Sequence, residues 1–306
     1  MRLLLELSNE CDSLSKSEAV SAIAALGGTC RRLDEDPGVL IAETSVDPEA
    51  LGRRLALCHR VCEWLGTCAP CAVDAIADGL EVKGPIRVRS TKVGEPVEGL
   101  NLESVSRRVG GILGRKFGVD LHSPVSDIRI VFSRRAHFGR TLWSIDRTSF
   151  ERRKNRYMPF HYPASLHPKY ARAMVNLTQV RDGRPLLDPF CGTGAILAEG
   201  HLAGVRAVGS DISERMIDGA RRNLDFVGAA ADLHLCDVGM IDEVVGQVDG
   251  VATDPPYGRS TSTKGEGIAE LYVRALSAFS SVLDRGSRLV IVVPDTGMLT
   301  DADGFK

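Results

Sequence analysis

Two short segments of this chain pair acceptor groups with a stiff or glycine-rich backbone. Asp254-Pro255-Pro256-Tyr257-Gly258 closes one apolar run, and Asp188-Pro189-Phe190-Cys191-Gly192-Thr193-Gly194 closes another. In the first, a carboxylate and the Pro255 carbonyl sit side by side on a backbone that two prolines hold rigid. Such a pair can accept both hydrogens of an amine. An exocyclic amine on a nucleobase is a poor nucleophile, because its lone pair is delocalised into the ring. Hydrogen bonds to Asp254 and to the Pro255 carbonyl would orient that amine and draw its nitrogen towards tetrahedral geometry. Tyr257 offers a flat face on which a base turned out of its helix can stack. Methyl transfer from a sulfonium donor needs no metal and no covalent intermediate, so positioning supplies much of the catalysis. The bland alternative is a proline-rich turn after a strand.

The second segment weighs against that alternative. Gly192 and Gly194 let the backbone approach a ligand closely, and the helix that follows presents a positive N-terminus. A lone Gly-x-Gly suits a dinucleotide as well as S-adenosyl-L-methionine. Asp211, followed by Ile212, ends the next apolar run and could accept both hydroxyls of a ribose. Asp237 ends the run after that and could reach an adenine amino group. Each acid alone reads as an ordinary strand end or N-cap. Three in register at the carboxyl ends of successive strands mark the crevice where doubly wound sheets bind ligands. Asp188, Phe190, Gly192, Gly194, Asp211, Ile212 and Asp237 are therefore the expected cofactor residues, and Asp254, Pro255, Pro256 and Tyr257 the expected catalytic motif.

These positions require five buried parallel strands: PLLDPF, RAVGSDI, DLHLCD, GVATDPP and SRLVIVVP. Helices are predicted between most of them, over residues 195–203, 213–226 and 268–283. This is the pattern of a doubly wound α/β sheet. Upstream the chain reads differently. RLLLEL is strand-like, residues 15–26 form a helix ended by Gly27-Gly28, and residues 39–43 form a strand. Asp47-Pro48 opens a helix predicted to run to about Trp64. Beyond it, IRVRS is a strand, residues 101–117 an amphipathic helix, and DIRIVFS a strand with HFGRTLWSID as its hairpin partner.

The chain has 306 residues, 43% of them hydrophobic and 25% charged, with a net charge of −2. The length predicts two or three domains. No apolar run approaches the ~20 residues of a membrane span, and the start, MRLLLELSNECD, does not read as a signal peptide. The chain is therefore expected in the cytoplasm, with its eight cysteines reduced. Cys58, Cys62, Cys68 and Cys71 could form a zinc site, but Cys58 and Cys62 also fit one turn apart on an apolar helix face, and no metal is expected. Between Ile128 and Arg156, nine Lys and Arg stand against Asp146 and Glu151. Such a basic run on a neutral protein suits phosphate contact, and Arg129, Arg134, Arg135 and Arg140 are the expected RNA-contacting side chains. A solvated charged face is the alternative.

DPFCGTG, SDIS and TDPPYG, in this order and spacing, resemble the Rossmann-type amino-methyltransferases. TDPPYGRSTSTKGE together with HYPASLHPKYARAMVNLT looks like the archaeal tRNA guanosine-10 N2-methyltransferases and their eukaryotic relatives. The resemblance implies a ferredoxin-like unit over 1–65, a THUMP RNA-binding unit over 66–145, a basic linker over 146–160 and the methyltransferase unit over 161–306. It implies one or two methyl transfers to guanosine 10 of tRNA, most simply by a monomer. It also places Phe160, His161 and Ala164 in an upstream cofactor-contacting segment, although His161 reads equally as a plain loop histidine. The family fold normally closes with a sixth and seventh strand, and here the chain ends about a dozen residues after the fifth. Methylation of ribosomal RNA guanine, DNA adenine or protein glutamine is the alternative within the enzyme class. A catalytically silent RNA-binding protein is the alternative outside it.

Overall fold

A computed structural model describes residues 1–94, 99–163, 165–256 and 267–293. The chain divides into two compact units, Met1–Ile145 and Asp146–Lys306.

The first unit is built on one seven-stranded sheet. Its elements in chain order are β1 (Arg2–Leu7), α1 (Asp12–Ala25), β2 (Cys30–Asp36), β3 (Val39–Thr44), α2 (Pro48–Arg54), β4 (Cys58–Cys68), α3 (Val73–Gly79), β5 (Ile86–Lys92), α4 (Leu102–Phe117), β6 (Ser126–Phe132) and β7 (Ala136–Ser144). The strand order is β2-β3-β1-β4-β7-β6-β5, with only β5 and β6 parallel. The RLLLEL run is apolar on both faces because both are covered. Leu3, Leu5 and Leu7 pack with Ala19, Ile23 and Leu51 of the first two helices, while Leu4 packs on the other face with Ile41, Cys62 and Val131.

The helix predicted from Asp47 to Trp64 starts as expected and stops early. Asp47 accepts from the Ala50 amide at 2.8 Å and Pro48 takes the first helical position. The helix ends at Arg54, since the next amides are given elsewhere: the buried carboxylate of Glu18 accepts from Ala56 N and Leu57 N, both at 2.8 Å. The chain then runs on as β4, paired with β1 and β7. Cys58 and Cys62 are thus strand residues, not neighbours on a helix, and both are buried thiols, with Cys62 pushed up to about 12 by burial. Among the described residues no group of three or more His, Cys, Asp or Glu is placed to hold a metal ion. Strand β4 also crosses the expected boundary at residue 65, so the two N-terminal segments share a sheet while keeping separate cores around Leu51 and around Val109.

The second unit carries α5 (Arg147–Arg152), α6 (Pro168–Leu177), β8 (Pro185–Asp188), α7 (Ala195–Leu202), β9 (Arg206–Asp211), α8 (Glu214–Val227), β10 (Ala231–Leu235), α9 (Ile241–Val244), β11 (Val248–Thr253), α10 (Ile268–Val282) and β12 (Leu283–Ile291). All five strands are parallel, in the order β10-β9-β8-β11-β12. The chain builds outward from β8 to β10, then crosses back to place β11 on the other side of β8. That reversal opens a crevice at the carboxyl ends of β8 and β11. Among the described residues no helix is long and apolar enough to cross a membrane.

Candidate active site

The carboxyl edge of the parallel sheet collects the expected residues. Asp188 ends β8 and is 2% exposed. One of its oxygens accepts from the Thr253 hydroxyl at 2.7 Å and from the Phe190 amide at 3.2 Å. Burial pushes its carboxyl up to about 7, against those two hydrogen bonds, and the charges of Asp254 and Asp211 add to the rise. Through the Thr253 hydrogen bond Asp188 ties β8 to the residue preceding Asp254.

The glycine-rich turn follows. Gly192 and Gly194 have φ of +50° and +82°, in the left-handed region that suits glycine. Gly194 starts α7 with no side chain capping the helix, so its positive end opens on the turn. The Asp211 carboxylate accepts from Gly192 N at 3.0 Å and from Ser213 N at 2.9 Å. Burial raises its pKa, and these two amides oppose the rise. Each oxygen takes one of those amides and has a further lone pair able to accept a hydroxyl. Ile212 beside it is 40% exposed. Asp237 accepts from Gly239 N at 2.8 Å and forms an ion pair with Arg274 of α10. Its carboxylate thus already has partners at the place expected to meet an adenine.

The upstream segment is pinned to this turn by a residue that sequence reading missed. Asn223 of α8 is 6% exposed. Its Oδ1 accepts from Phe160 N at 2.9 Å, and its Nδ2 donates to Phe160 O at 2.8 Å and to Thr193 O at 3.0 Å. Ser165 and Thr193 share a hydroxyl hydrogen bond of 2.7 Å. The Phe160 ring lies on Gly219, where any Cβ would stand 2.1 Å from a ring carbon. His161 is exposed. The available signal was Asn223 itself, a polar residue one turn from Ala220 on the buried face of an amphipathic helix. Behind the segment, Glu199 of α7 receives Arg153 at 2.6 Å and Arg172 at 2.9 Å, with Phe150 stacked under both guanidiniums.

Asp254 follows β11 and is half-buried, Pro255 is buried and Pro256 half-buried. The charge of Asp254 reaches both Asp188 and the Tyr272 hydroxyl of α10. Tyr257, Gly258 and Ala164 lie outside the described residues, as does the chain after residue 293.

The basic run does not form one uniform charged face. In the first unit Arg129 is 3% exposed and faces the Glu6 carboxylate at 3.9 Å, an interior cation. Arg135 is clamped by Asp34 and Asp36, at 2.6 and 3.1 Å, and Arg140 by Glu63 at 2.7 Å. Arg134 is exposed. In the second unit Arg147, Arg152 and Arg156 are exposed.

Residues 155–304 match a family profile described as "RMKL-like, methyltransferase domain". Over 311 aligned residues the chain is 35% identical to a tRNA (guanine(10)-N2)-dimethyltransferase of Methanothermobacter thermautotrophicus, covering 96% of this chain and 89% of the relative. It is 30% identical over 285 residues to a tRNA (guanine(6)-N2)-methyltransferase of Thermus thermophilus, covering 86% and 81% of the two chains. The crystal structure of TrmN from Thermus thermophilus superposes with a TM-score of 0.53 at 23% identity, covering 95% of this chain and 88% of that one, a likeness of fold.

Proposed function

From the premise that the chain belongs to the family of tRNA (guanine(10)-N2)-dimethyltransferases, we propose that it methylates the exocyclic N2 of guanosine 10 in tRNA, using S-adenosyl-L-methionine. The observation that carries the reading is the Thr253–Asp188 hydrogen bond of 2.7 Å. It holds the start of the Asp254-Pro255-Pro256 turn against the strand that opens into the glycine-rich loop, so an amine acceptor and a cofactor crevice share one corner.

The residues present fit the cofactor. Asp211 has lone pairs for a ribose diol, the uncapped start of α7 suits a carboxylate, and Phe160 and Ile212 add apolar surface. The bound cofactor supplies a methyl group on a positively charged sulfur. Asp254 and the Pro255 carbonyl accept the two N2 hydrogens of the guanine and aim the nitrogen lone pair at that methyl carbon. The Asp254 carboxylate would take the surplus N–H proton of the methylated amine. Tyr257 would offer its ring to the extruded base. The first unit grips the tRNA, with exposed Arg134 contributing to phosphate contact.

Incubating the protein with unmodified tRNA transcript and labelled S-adenosyl-L-methionine tests the proposal. Mass spectrometry of the nucleosides should show N2-methylguanosine and its dimethyl form, mapping to position 10. Label at guanosine 6 would replace the position and keep the chemistry. Label on adenosine, or none from a protein that binds the cofactor, would refute the reading.

A further inference from the structure

Resting on that reading of Asp254, we propose that the Tyr272 hydroxyl is a positioning group of the active site, held in reserve to donate a hydrogen bond to the Asp254 carboxylate when the base docks. Tyr272 lies on the buried face of α10, with Leu271, Ala275 and Phe279, and is 7% exposed. Its hydroxyl is buried and makes no hydrogen bond among the described residues. A buried hydroxyl without a partner is costly and uncommon, because it has given up water for nothing in return. Packing does not require it, since phenylalanine has the same ring.

The topology says where that hydroxyl stands. Helix α10 is the crossover between the parallel neighbours β11 and β12, so it runs back against them and starts at their carboxyl edge. Tyr272 is the fifth residue of the helix, about 6 Å along its axis from the start at 1.5 Å per residue. Asp254 is the first residue past the carboxyl end of β11. Both residues therefore lie towards the carboxyl edge of the sheet, Tyr272 in the first turns of α10 and Asp254 at the end of β11. Burial, joined by the charge of Asp254, pushes the phenol pKa up, so the hydroxyl keeps its proton and remains a donor. Asp188 at the end of β8 feels the charges of both Asp254 and Asp211. A donor among these acids favours the charged form of the one it touches. On docking, one Asp254 oxygen would take the phenol and the other the amine, which fixes the carboxylate in the rotamer that methyl transfer needs.

Tyr272→Phe in the full chain removes only the hydroxyl. We expect kcat for tRNA methylation to fall about 10- to 100-fold. S-adenosyl-L-methionine affinity and KM for tRNA should stay within about twofold, and the melting temperature should hold or rise as an orphaned polar atom leaves. Losing a donor to the carboxylate raises the pKa of Asp254, so the acid limb of the kcat–pH profile should move to higher pH. A purely structural tyrosine moves neither the rate nor that limb. Asp254→Ala, assayed in parallel, separates the failures. An active Asp254→Ala protein overturns the reading of the site and this inference together. An inactive Asp254→Ala protein beside Tyr272→Phe with unchanged kcat and an unmoved acid limb overturns this inference alone.

Discussion

The two units handle buried polarity in opposite ways. In the first, most interior charges are consumed by one another: Glu6 holds Arg60 and Thr91 and faces Arg129, Asp36 holds Arg135 and His137, and Glu18 holds two backbone amides, while the buried Nε of Arg129 has no hydrogen-bond partner among the described residues. In the second, at the carboxyl edge of the parallel sheet, the accounts are left open. Asp188 sits at about 7, Asp211 is raised while keeping acceptor capacity, and the Tyr272 hydroxyl has no partner among the described residues. A scaffold saturates most of its polar groups because each unpaired one costs stability. A site leaves some unsaturated because its ligand completes them.

Several substitutions can break or sharpen that contrast. The largest effect belongs to Asp254→Ala: methylation should fall by at least about a thousandfold, while S-adenosyl-L-methionine affinity by calorimetry stays within a few-fold. A parallel loss of cofactor binding would move Asp254 from amine chemistry to cofactor retention. Next comes Glu199→Ala, the charge cluster inside the second unit. It removes the carboxylate that two guanidiniums share, one of them almost fully enclosed, and should cost about 3–5 kcal/mol in denaturant unfolding of the whole chain. An unchanged midpoint would show the triad to be idle.

Asp188 gives a pH test with a definite sign. Its carboxyl rises from 3.8 unfolded to about 7 folded, so between those values the native state holds an extra proton. That stabilisation is complete below the unfolded pKa and is lost as pH climbs through the folded one. Wild-type stability should therefore decline from pH 4 to pH 7, by at most about 1.4 kcal/mol per pH unit from this group. Asp188→Asn can still accept from Thr253 and should flatten that part of the curve. Asn223→Ala should weaken cofactor binding about tenfold, by freeing Phe160 and Thr193 from each other, for a loss of about 1–2 kcal/mol. The smallest effect is expected of Arg134→Glu. It should weaken tRNA binding a few-fold and reduce the salt slope by about one, since this arginine is exposed while Arg135 beside it is clamped by two aspartates.

The same contrast governs what could be read from the chain. The parallel sheet was legible, because buried strands are apolar runs and each site acid sits where a run ends. The first unit was less so. Strand β2, CRRLDED, carries no alternating apolar pattern, being an exposed strand at the sheet edge. Strand β4 was mistaken for helix because the signal that stops α2 is the Glu18 carboxylate, 38 residues upstream of the amide it takes. Long-range partners leave no local trace. For that reason the basic run read as uniform, whereas Arg129 is enclosed and Arg135 and Arg140 are spent on acids from distant strands. Asn223 escaped because one polar residue on an apolar face looks like noise until its three hydrogen bonds are seen.

Strand β4 has a practical consequence for anyone dissecting the protein. Eleven residues, Cys58–Cys68, are hydrogen-bonded to β1 on one side and to β7 on the other. A fragment cut at residue 65 would sever this strand and leave each piece with a raw backbone margin able to recruit foreign strands. Such pieces should precipitate on expression, and a tRNA-binding fragment would have to keep the whole of residues 1–145.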